Sequence, residues 1–300
     1  MRKVVCAGLA VLDLVFEVDT FPTAAGKHFA RSLHQVGGGP AANGAVTVAR
    51  LGGMASFVGA VGDDPTGEAI LAGLRADGVD VEHVEIVAGA TSPTSAVLVD
   101  ASGERLIVNH RDPRLHAAVT FPSAVVDDAD AVLADLRWPE GAADALMGAR
   151  DRGRPAVLDY DSAELDDDRA LLAYATHIAF AEPALAERTG TDDPAEGLRR
   201  IAQETDAWVA VTRGPDGVVW LEPDGQVARL PAFTVDVVET LGAGDVFHGA
   251  LALHLAEEHR EPEAVRRACA AAALKCARAG GRDGIPSGDD VAAFLATPPG

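Results

Sequence analysis

Short apolar runs of strand length alternate with helical patterns along most of this 300-residue chain. In the second half these runs cover residues 131–136, 156–160, 178–181 and 208–212. Alternating strands and helices predict a parallel sheet covered by helices on both faces and joined by right-handed crossovers. Since apolar residues make up 48% of the chain, we expect a globular α/β protein with a large core.

Two strand-like segments interrupt this alternation. The second contains two apolar runs joined by Ala101-Ser102-Gly103-Glu104, a signal typical of a β-hairpin. We predict that residues 13–35 and 91–113 form a small β-sheet lid. Residues 1–12, 36–90 and 114–300 then form the α/β core domain. Because the lid strands have edges open to pairing, we expect a homodimer through the lid sheets.

The charge balance is strongly acidic, with 25 basic and 46 acidic residues and a net charge of −21. Such a surface argues against nucleic acid or an anionic membrane as a partner. The three cysteines lack metal-ligand spacing, and the first residues indicate a strand instead of a signal peptide. No apolar run approaches the ~20 residues of a membrane span, so we expect a cytoplasmic protein.

A glycine-rich turn, Gly242-Ala243-Gly244-Asp245, leads directly into an apolar helical pattern. The first N–H groups of a helix have no internal partner, and with the helix dipole they favour an anion. Asp245 beside such an anion hole suits the removal of a proton from a hydroxyl that attacks a phosphoryl group. The plainer alternative is a tight loop followed by an acidic N-terminal residue.

A second glycine cluster runs from Gly37 to Gly39 and precedes Pro40. It fits a dinucleotide-binding pattern, but the true first strand lies about thirty residues earlier, against that interpretation. We favour a glycine patch that opens a helix and meets the hydroxyls of a substrate, with Asn43 as a polar contact. A plain helix start with Pro40 at the first position is the alternative.

Together, Gly38-Gly39-x-x-x-Asn43 and Thr240-Leu241-Gly242-Ala243-Gly244-Asp245 resemble the two signatures of the ribokinase/PfkB family of carbohydrate kinases. The resemblance implies a ribokinase-like fold in which ATP and a sugar meet between the core and the lid. It implies Asp245 as catalytic base and an anion hole of Gly242, Ala243 and Gly244. The sugar contacts would be Asp13, Gly38, Gly39 and Asn43, and the ATP contacts Thr212, Gly214, Gly217, Gly242 and Gly244.

The family pattern also implies Mg²⁺, held mainly through the nucleotide phosphates, and the sequence departs from that pattern twice. The aspartate that usually opens the second signature is Glu239 here, which puts the monovalent-cation site of the family in doubt. At the Asn-x-x-Glu metal motif only Glu182 is acidic, so Glu182, with Asp159 or Asp161, is the candidate metal residue.

Several further stretches, including Val132–Trp138 and Lys275–Arg278, resemble the sulfofructose kinase branch of the family. That branch implies an anionic sugar, 6-deoxy-6-sulfofructose, phosphorylated on its 1-hydroxyl, with the sulfonate bound by Lys27, Asn109 and Arg137. Each has an ordinary alternative: a solvated lysine, a strand-end residue, and an arginine paired with Asp135 or Glu140.

Two other functions remain open. One is the same reaction on fructose 6-phosphate or another ketose, and the other is a sensor that binds sugar or nucleotide without turnover. We assign His248 a packing role, because phosphoryl transfer needs only one base, and we expect Arg282 to approach ATP.

Overall fold

The computed structural model of the chain describes residues 1–117, 119–162, 165 and 167–296. The strands are β1 Lys3–Ala7, β2 Val11–Glu17, β3 Ser32–Gly38, β4 Met54–Gly62, β5 Val84–Val87, β6 Thr94–Val99, β7 Arg105–His110, β8 Ala131–Ala134, β9 Ala156–Tyr160, β10 His177–Ala181, β11 Trp208–Thr212, β12 Val218–Leu221 and β13 Val227–Leu230. The helices are α1 Pro40–Arg50, α2 Pro65–Ala76, α3 Arg114–Ala117, α4 Pro139–Asp151, α5 Arg169–Tyr174, α6 Glu182–Thr189, α7 Pro194–Ile201, α8 Ala243–Ala256, α9 Glu261–Cys276 and α10 Gly288–Ala296.

The larger sheet has nine strands in the order β13-β12-β11-β10-β9-β8-β1-β4-β5. Its strands run parallel from β5 to β11, and the antiparallel hairpin β12–β13 forms one edge. The first strand therefore lies inside the sheet, with β4 on one side and β8 on the other. In open α/β sheets, ligands bind beyond the carboxyl ends of the strands at such a switch point.

Helices cover both faces of this sheet and create two apolar cores, as the alternating pattern predicted. One core contains buried side chains of α1, α2, α8 and α9, and the other contains those of α4, α5, α6 and α7. No helix in the described residues has the length and hydropathy needed to cross a bilayer.

The second sheet is the predicted lid, with four strands in the order β3-β2-β6-β7. The hairpins β2–β3 and β6–β7 are antiparallel, and β2 pairs in parallel with β6. This register aligns Asp13 with Ser95 and Ser95 with Asn109, so the three residues form a row across the lid.

One local prediction is wrong at the lid boundary. Gly37 and Gly38 do not open the helix; they end β3, where they pair with Leu12 and Val11. Only Gly39, with φ +97°, makes the turn into α1. Antiparallel pairing between distant residues outweighs the local turn preference of the glycines here.

A close crossing of α1 and α8 brings the two signature segments together. A Cβ atom added at Gly249 of α8 would lie 2.6 Å from the carbonyl oxygen of Gly44 in α1. The crossing therefore depends on glycine. It places Asn43, beside Gly44, against the first turn of α8.

We predict that Gly249→Ala destabilises the protein by about 1–3 kcal/mol, because the added methyl group forces α1 and α8 apart. A matched control is Gly73→Ala in α2, where an added Cβ meets no atom within 4 Å. That control is expected to gain about 0.5–1 kcal/mol from helix propensity. Urea unfolding of both variants measures these changes, and equal stabilities would contradict the proposed tight crossing.

Candidate active site

The signature residues meet in a cavity at the carboxyl ends of the central strands. The cavity is lined by Asp13, Val36, Gly37, Asn43, Leu241, Gly242, Asp245, Val246, Lys275, Gly281, Arg282 and Ile285. Residues from the lid edge, α1, the start of α8 and the segment after α9 thus share one space. Both signature segments therefore contribute to one cavity.

The start of α8 presents free amide groups, as the glycine-rich turn predicted. Gly242 precedes the helix with φ +74°, a conformation that favours glycine. In the described part of the chain, the amides of Gly242, Gly244 and Asp245 have no hydrogen-bond acceptor, whereas that of Ala243 donates to the Thr240 carbonyl at 3.3 Å. The amides available to the predicted anion hole are therefore those of Gly242, Gly244 and Asp245, because the amide of Ala243 is already hydrogen-bonded.

Asp245 is held in place by a single neutral partner. Its Oδ2 accepts a 2.6 Å hydrogen bond from Asn43 Nδ2. Burial is the main cause that raises the pKa of Asp245 above its ordinary value, and the negative charge of Asp161 raises it further. The hydrogen bond from Asn43 and the positive charges of His248 and Arg137 lower this pKa but do not cancel the rise. A carboxylate with a raised pKa is a stronger base, which suits proton removal.

Arg282 lines this cavity and contacts two of the predicted sugar-binding residues, and its approach to ATP stays a prediction. This buried guanidinium donates from Nε to Asn43 Oδ1 at 2.8 Å and from a terminal nitrogen to the Gly38 carbonyl at 3.0 Å. It also lies near Asp13, whose pKa is raised by burial. A chain of contacts thus runs from the lid edge through Arg282 and Asn43 to Asp245.

The glycine cluster makes room for these charged side chains. An added Cβ would lie 2.2 Å from Arg282 at Gly37 and 2.2 Å from the Asp13 carboxylate at Gly38. At Gly39 it would lie 2.3 Å from the Leu9 carbonyl. The two strand glycines therefore allow Asp13 and Arg282 to reach the cavity.

Asp135 is a site residue to which the sequence analysis gave no role of its own. It is fully buried after β8, and its carboxylate accepts N–H groups of Leu9, Ala41 and Arg137 at 2.8–3.0 Å. Burial raises its pKa, and the three amides and Arg137 oppose that shift. An aspartate directly after an apolar strand is the sequence signal that points to such a position.

His248 forms a buried ion pair beneath the base. Its Nδ1 lies 3.2 Å from Asp159 Oδ2, and its Nε2 donates to the Ala179 carbonyl at 3.1 Å. Burial lowers the pKa of His248, but the charge and hydrogen bonding of Asp159, the charge of Asp245 and the Ala179 carbonyl together outweigh it, and the pKa rises to about 9. Burial also raises the pKa of Asp159, to about 6. The pair fastens α8 to β9 and β10, which agrees with the packing role assigned to His248.

Arg137 pairs with Asp161, and not with Asp135 or Glu140 as the ordinary alternative held. Two guanidinium nitrogens bind the two carboxylate oxygens of Asp161, the second at 2.7 Å. Arg137 also lines a second cavity of about 240 Å³ with Arg111, Leu136, Pro139, Ser162 and Leu165. Arg111 and Arg137 therefore line one cavity, and the charge of Arg137 acts on Asp245.

The other two predicted sulfonate contacts lie in different surroundings. Asn109 donates to Ser95 Oγ at 3.3 Å in the row that includes Asp13. Lys27 is exposed in the loop between β2 and β3 and has no hydrogen bond or ion pair with the described residues. The structure thus brings Asn109 to the lid face that carries Asp13 and leaves Lys27 in solvent.

The predicted nucleotide loop follows β11 at the same end of the sheet. Thr212 donates its hydroxyl to the Phe180 carbonyl at 3.2 Å, and an added Cβ at Gly214 would meet open space. At Gly217 it would lie 2.0 Å from the Leu230 carbonyl. Gly214 therefore offers backbone to a ligand, whereas Gly217 is required by the packing of the edge hairpin.

Among the described residues, the acidic side chains near the nucleotide loop are not grouped as a set of metal ligands. Glu182 accepts from Arg213 Nε at 2.7 Å through Oε1. Within the described residues, the group of three side chains able to converge on a metal ion is His254, Glu257 and His259, near the other end of α8. The role of Glu182 as a metal residue stays a prediction.

Known proteins resemble this chain along almost its whole length. The pfkB family carbohydrate kinase profile matches residues 1–288. An ATP-dependent ribose-1-phosphate kinase from Halopiger xanaduensis is 33% identical over 300 residues, covering 98% of each chain. A ribokinase from Bacillus subtilis is 31% identical over 307 residues, covering 98% of this chain and 100% of the other. The crystal structure of a candidate ribokinase from Agrobacterium tumefaciens matches with a TM-score of 0.93 at 41% identity, covering 98% of this chain and 97% of that chain.

The chain belongs to the pfkB family of carbohydrate kinases. It is an ATP-dependent carbohydrate kinase with the ribokinase-like fold, which confirms the family resemblance and sets aside the non-catalytic sensor. These relatives are named for ribose and ribose 1-phosphate and not for a sulfosugar, so the family evidence favours the alternative sugars over 6-deoxy-6-sulfofructose.

Proposed function

We propose that the protein transfers the γ-phosphoryl group of ATP to a primary hydroxyl of a sugar that carries an anionic group at its far end. The cavity lined by Arg111 and Arg137 is the observation that carries this proposal. Planar guanidinium groups bind tetrahedral oxyanions through paired hydrogen bonds. The chain as a whole has a net charge of −21, so two arginines that line one cavity favour an anionic ligand there.

In the proposed reaction, Asp245 removes the proton of the attacking hydroxyl as its oxygen bonds to the γ-phosphorus and the bond to ADP breaks. Asn43 holds one carboxylate oxygen, which leaves the other for the proton. The free amides of Gly242 and Gly244 stabilise the negative charge on the transferring group. Mg²⁺ bound to the phosphates supplies further charge neutralisation.

For the sugar itself, we place a sugar phosphate ahead of 6-deoxy-6-sulfofructose. A phosphate monoester is close to a dianion at neutral pH, since its second pKa is about 6. Arg111 has no ion-pair partner among the described residues, and Arg137 would exchange part of its pairing with Asp161 for the phosphate oxygens. Ribose 1-phosphate, after the name of one relative, and fructose 6-phosphate are the candidates. The sulfosugar remains the second choice, because Lys27 lies in solvent and Asn109 and Arg137 alone offer fewer contacts.

A neutral sugar such as ribose is a separate candidate, favoured by the pairing of Arg137 with Asp161. That ion pair lowers the net charge of the cavity and offers both donors and acceptors to sugar hydroxyls. The name of the Bacillus subtilis relative, ribokinase, agrees with this candidate.

We also propose a homodimer formed through the lids. The edge strand β7 is exposed along its whole length, with Leu106, Ile107 and Val108 at 43%, 53% and 62% exposure. An exposed apolar edge strand is a template for pairing with another chain. Light scattering that reports a monomer at micromolar concentration would contradict this arrangement.

Asp245→Asn is expected to lower kcat by about 10²–10⁴-fold, because the amide cannot accept the proton of the hydroxyl. The wild-type rate is expected to fall with decreasing pH as Asp245, whose pKa is raised, becomes protonated. Calorimetry of ADP binding is the control and should give a similar Kd for both proteins. Turnover that survives the substitution would remove Asp245 from the role of base.

The identity of the sugar is tested by initial rates with ATP and Mg²⁺ on ribose 1-phosphate, fructose 6-phosphate, 6-deoxy-6-sulfofructose, ribose and fructose.

Arg137→Met is expected to lower kcat/KM for an anionic sugar by about 10–100-fold, as charge-assisted hydrogen bonds are lost. The double variant Arg137→Met/Asp161→Asn avoids leaving the partly buried Asp161 carboxylate unpaired. The control removes an exposed cation, by Arg199→Met in α7.

Each outcome of this assay separates the candidates. A preference for a sugar phosphate with a large loss in both Arg137 variants supports the proposal. A preference for the sulfosugar restores the sequence prediction. Best turnover of ribose or fructose, with little effect of the double variant, would assign the site to a neutral sugar.

A further inference from the structure

Lys275 is a buried cation that the proposed reaction does not use. It lies in the last turn of α9 with 1% of its surface exposed, and it lines the same cavity as Asp245. Its Nζ has no hydrogen-bond acceptor among the described residues. Burying an ammonium group is costly unless it is paired, so a charge at this position indicates a role in the site.

The nearest acidic group to this ammonium is Glu239, whose Oε2 lies 3.6 Å from Nζ. The same oxygen accepts the N–H groups of Gly280 at 2.8 Å and Gly281 at 3.3 Å. The backbone of Glu239 is also tied to the end of α9, because its N–H donates to the Cys276 carbonyl at 3.1 Å. Lys275 therefore lies beside the segment that leads into the anion hole.

This arrangement does not fit the monovalent metal ion that the family resemblance implies near Glu239. The Glu239 carboxylate already faces two amides and an ammonium group. A potassium or sodium ion placed there would be repelled by the positive charge of the buried Lys275 side chain. The residues present thus supply one positive charge of their own at this carboxylate.

We propose that the Lys275 ammonium takes the place of a monovalent metal ion and fixes the turn from Glu239 to Gly242, so that turnover requires no added potassium or sodium. The positive charge of Lys275 attracts the Glu239 carboxylate. This attraction holds the turn from Glu239 to Gly242 in the conformation in which the amides of Gly242 and Gly244 are free. The inference concerns the carbohydrate kinase activity of the family and does not depend on which sugar is the substrate.

The test compares initial rates in potassium, sodium and choline chloride at equal ionic strength, with the best sugar found. The wild-type rate is expected to vary by less than about twofold. Lys275→Met, which keeps a buried apolar side chain and removes the charge, is expected to lose about 10-fold or more in kcat, roughly 1.4 kcal/mol. Lys275→Ala leaves space for an ion, and its rate is expected to rise several-fold with potassium or ammonium but not with choline.

Two controls separate this role from folding and from substrate choice. Arg267→Met removes a cation on the same helix, paired with Glu263 away from the cavity, and is expected to behave as wild type. Thermal unfolding is expected to show that potassium raises the Tm of Lys275→Ala and leaves that of the wild type unchanged. If no sugar in the panel is turned over, the affinities of the wild type and the Lys275 variants for ADP are measured in potassium chloride and in choline chloride. The difference between the two salts then replaces the comparison of rates.

Strong activation of the wild type by potassium would overturn the proposal, and so would full activity of Lys275→Met. A rise in the KM for ATP at constant kcat in both variants, with no rescue by potassium, would instead make Lys275 a direct ligand of the nucleotide and overturn it as well.

Discussion

The contact between Asn43 and Asp245 joins the two halves of the active site, and the rest of the site is arranged around it. It forms only because α1 and α8 cross closely at Gly44 and Gly249. Asn43 uses both ends of its amide, one toward Asp245 and the other toward Arg282. A single neutral side chain therefore connects the catalytic helix to the lid edge.

The acidic groups around the cavity differ in the kind of partner that each has. Asp135 is held by three backbone amides, Asp159 by His248 and Asp161 by Arg137. Asp245 bonds only to an uncharged amide. Since a cationic partner would lower the basicity of a carboxylate, the neutral Asn43 lets the pKa of Asp245 stay raised.

The parts of this structure that depend on local pattern could be predicted from the sequence. Alternating runs indicated the α/β core, and the strands Ala156–Tyr160 and Trp208–Thr212 lie where their apolar runs placed them. The turn before α8 was predictable because Gly242 has a positive φ, which is a local requirement that favours glycine.

What the sequence did not reveal are contacts between residues far apart in the chain. Arg137 meets Asp161, Arg282 meets Gly38, and Asp135 meets Leu9 because the sheet brings the strand ends together. No local spacing encodes such partners. The misassigned Gly37-Gly38 has the same cause, since its pairing with β2 decides its conformation.

The parallel pairing of β2 with β6 also bears on how the chain folds. It joins residues 12–17 to residues 94–99, so the lid sheet cannot close until the intervening chain has returned. The entropy of closing such a loop must be overcome before the pairing contributes any stability. We therefore expect the lid to be completed after β1, α1 and β4 have packed, and Asp13 to reach its place beside Asp245 among the last steps of folding.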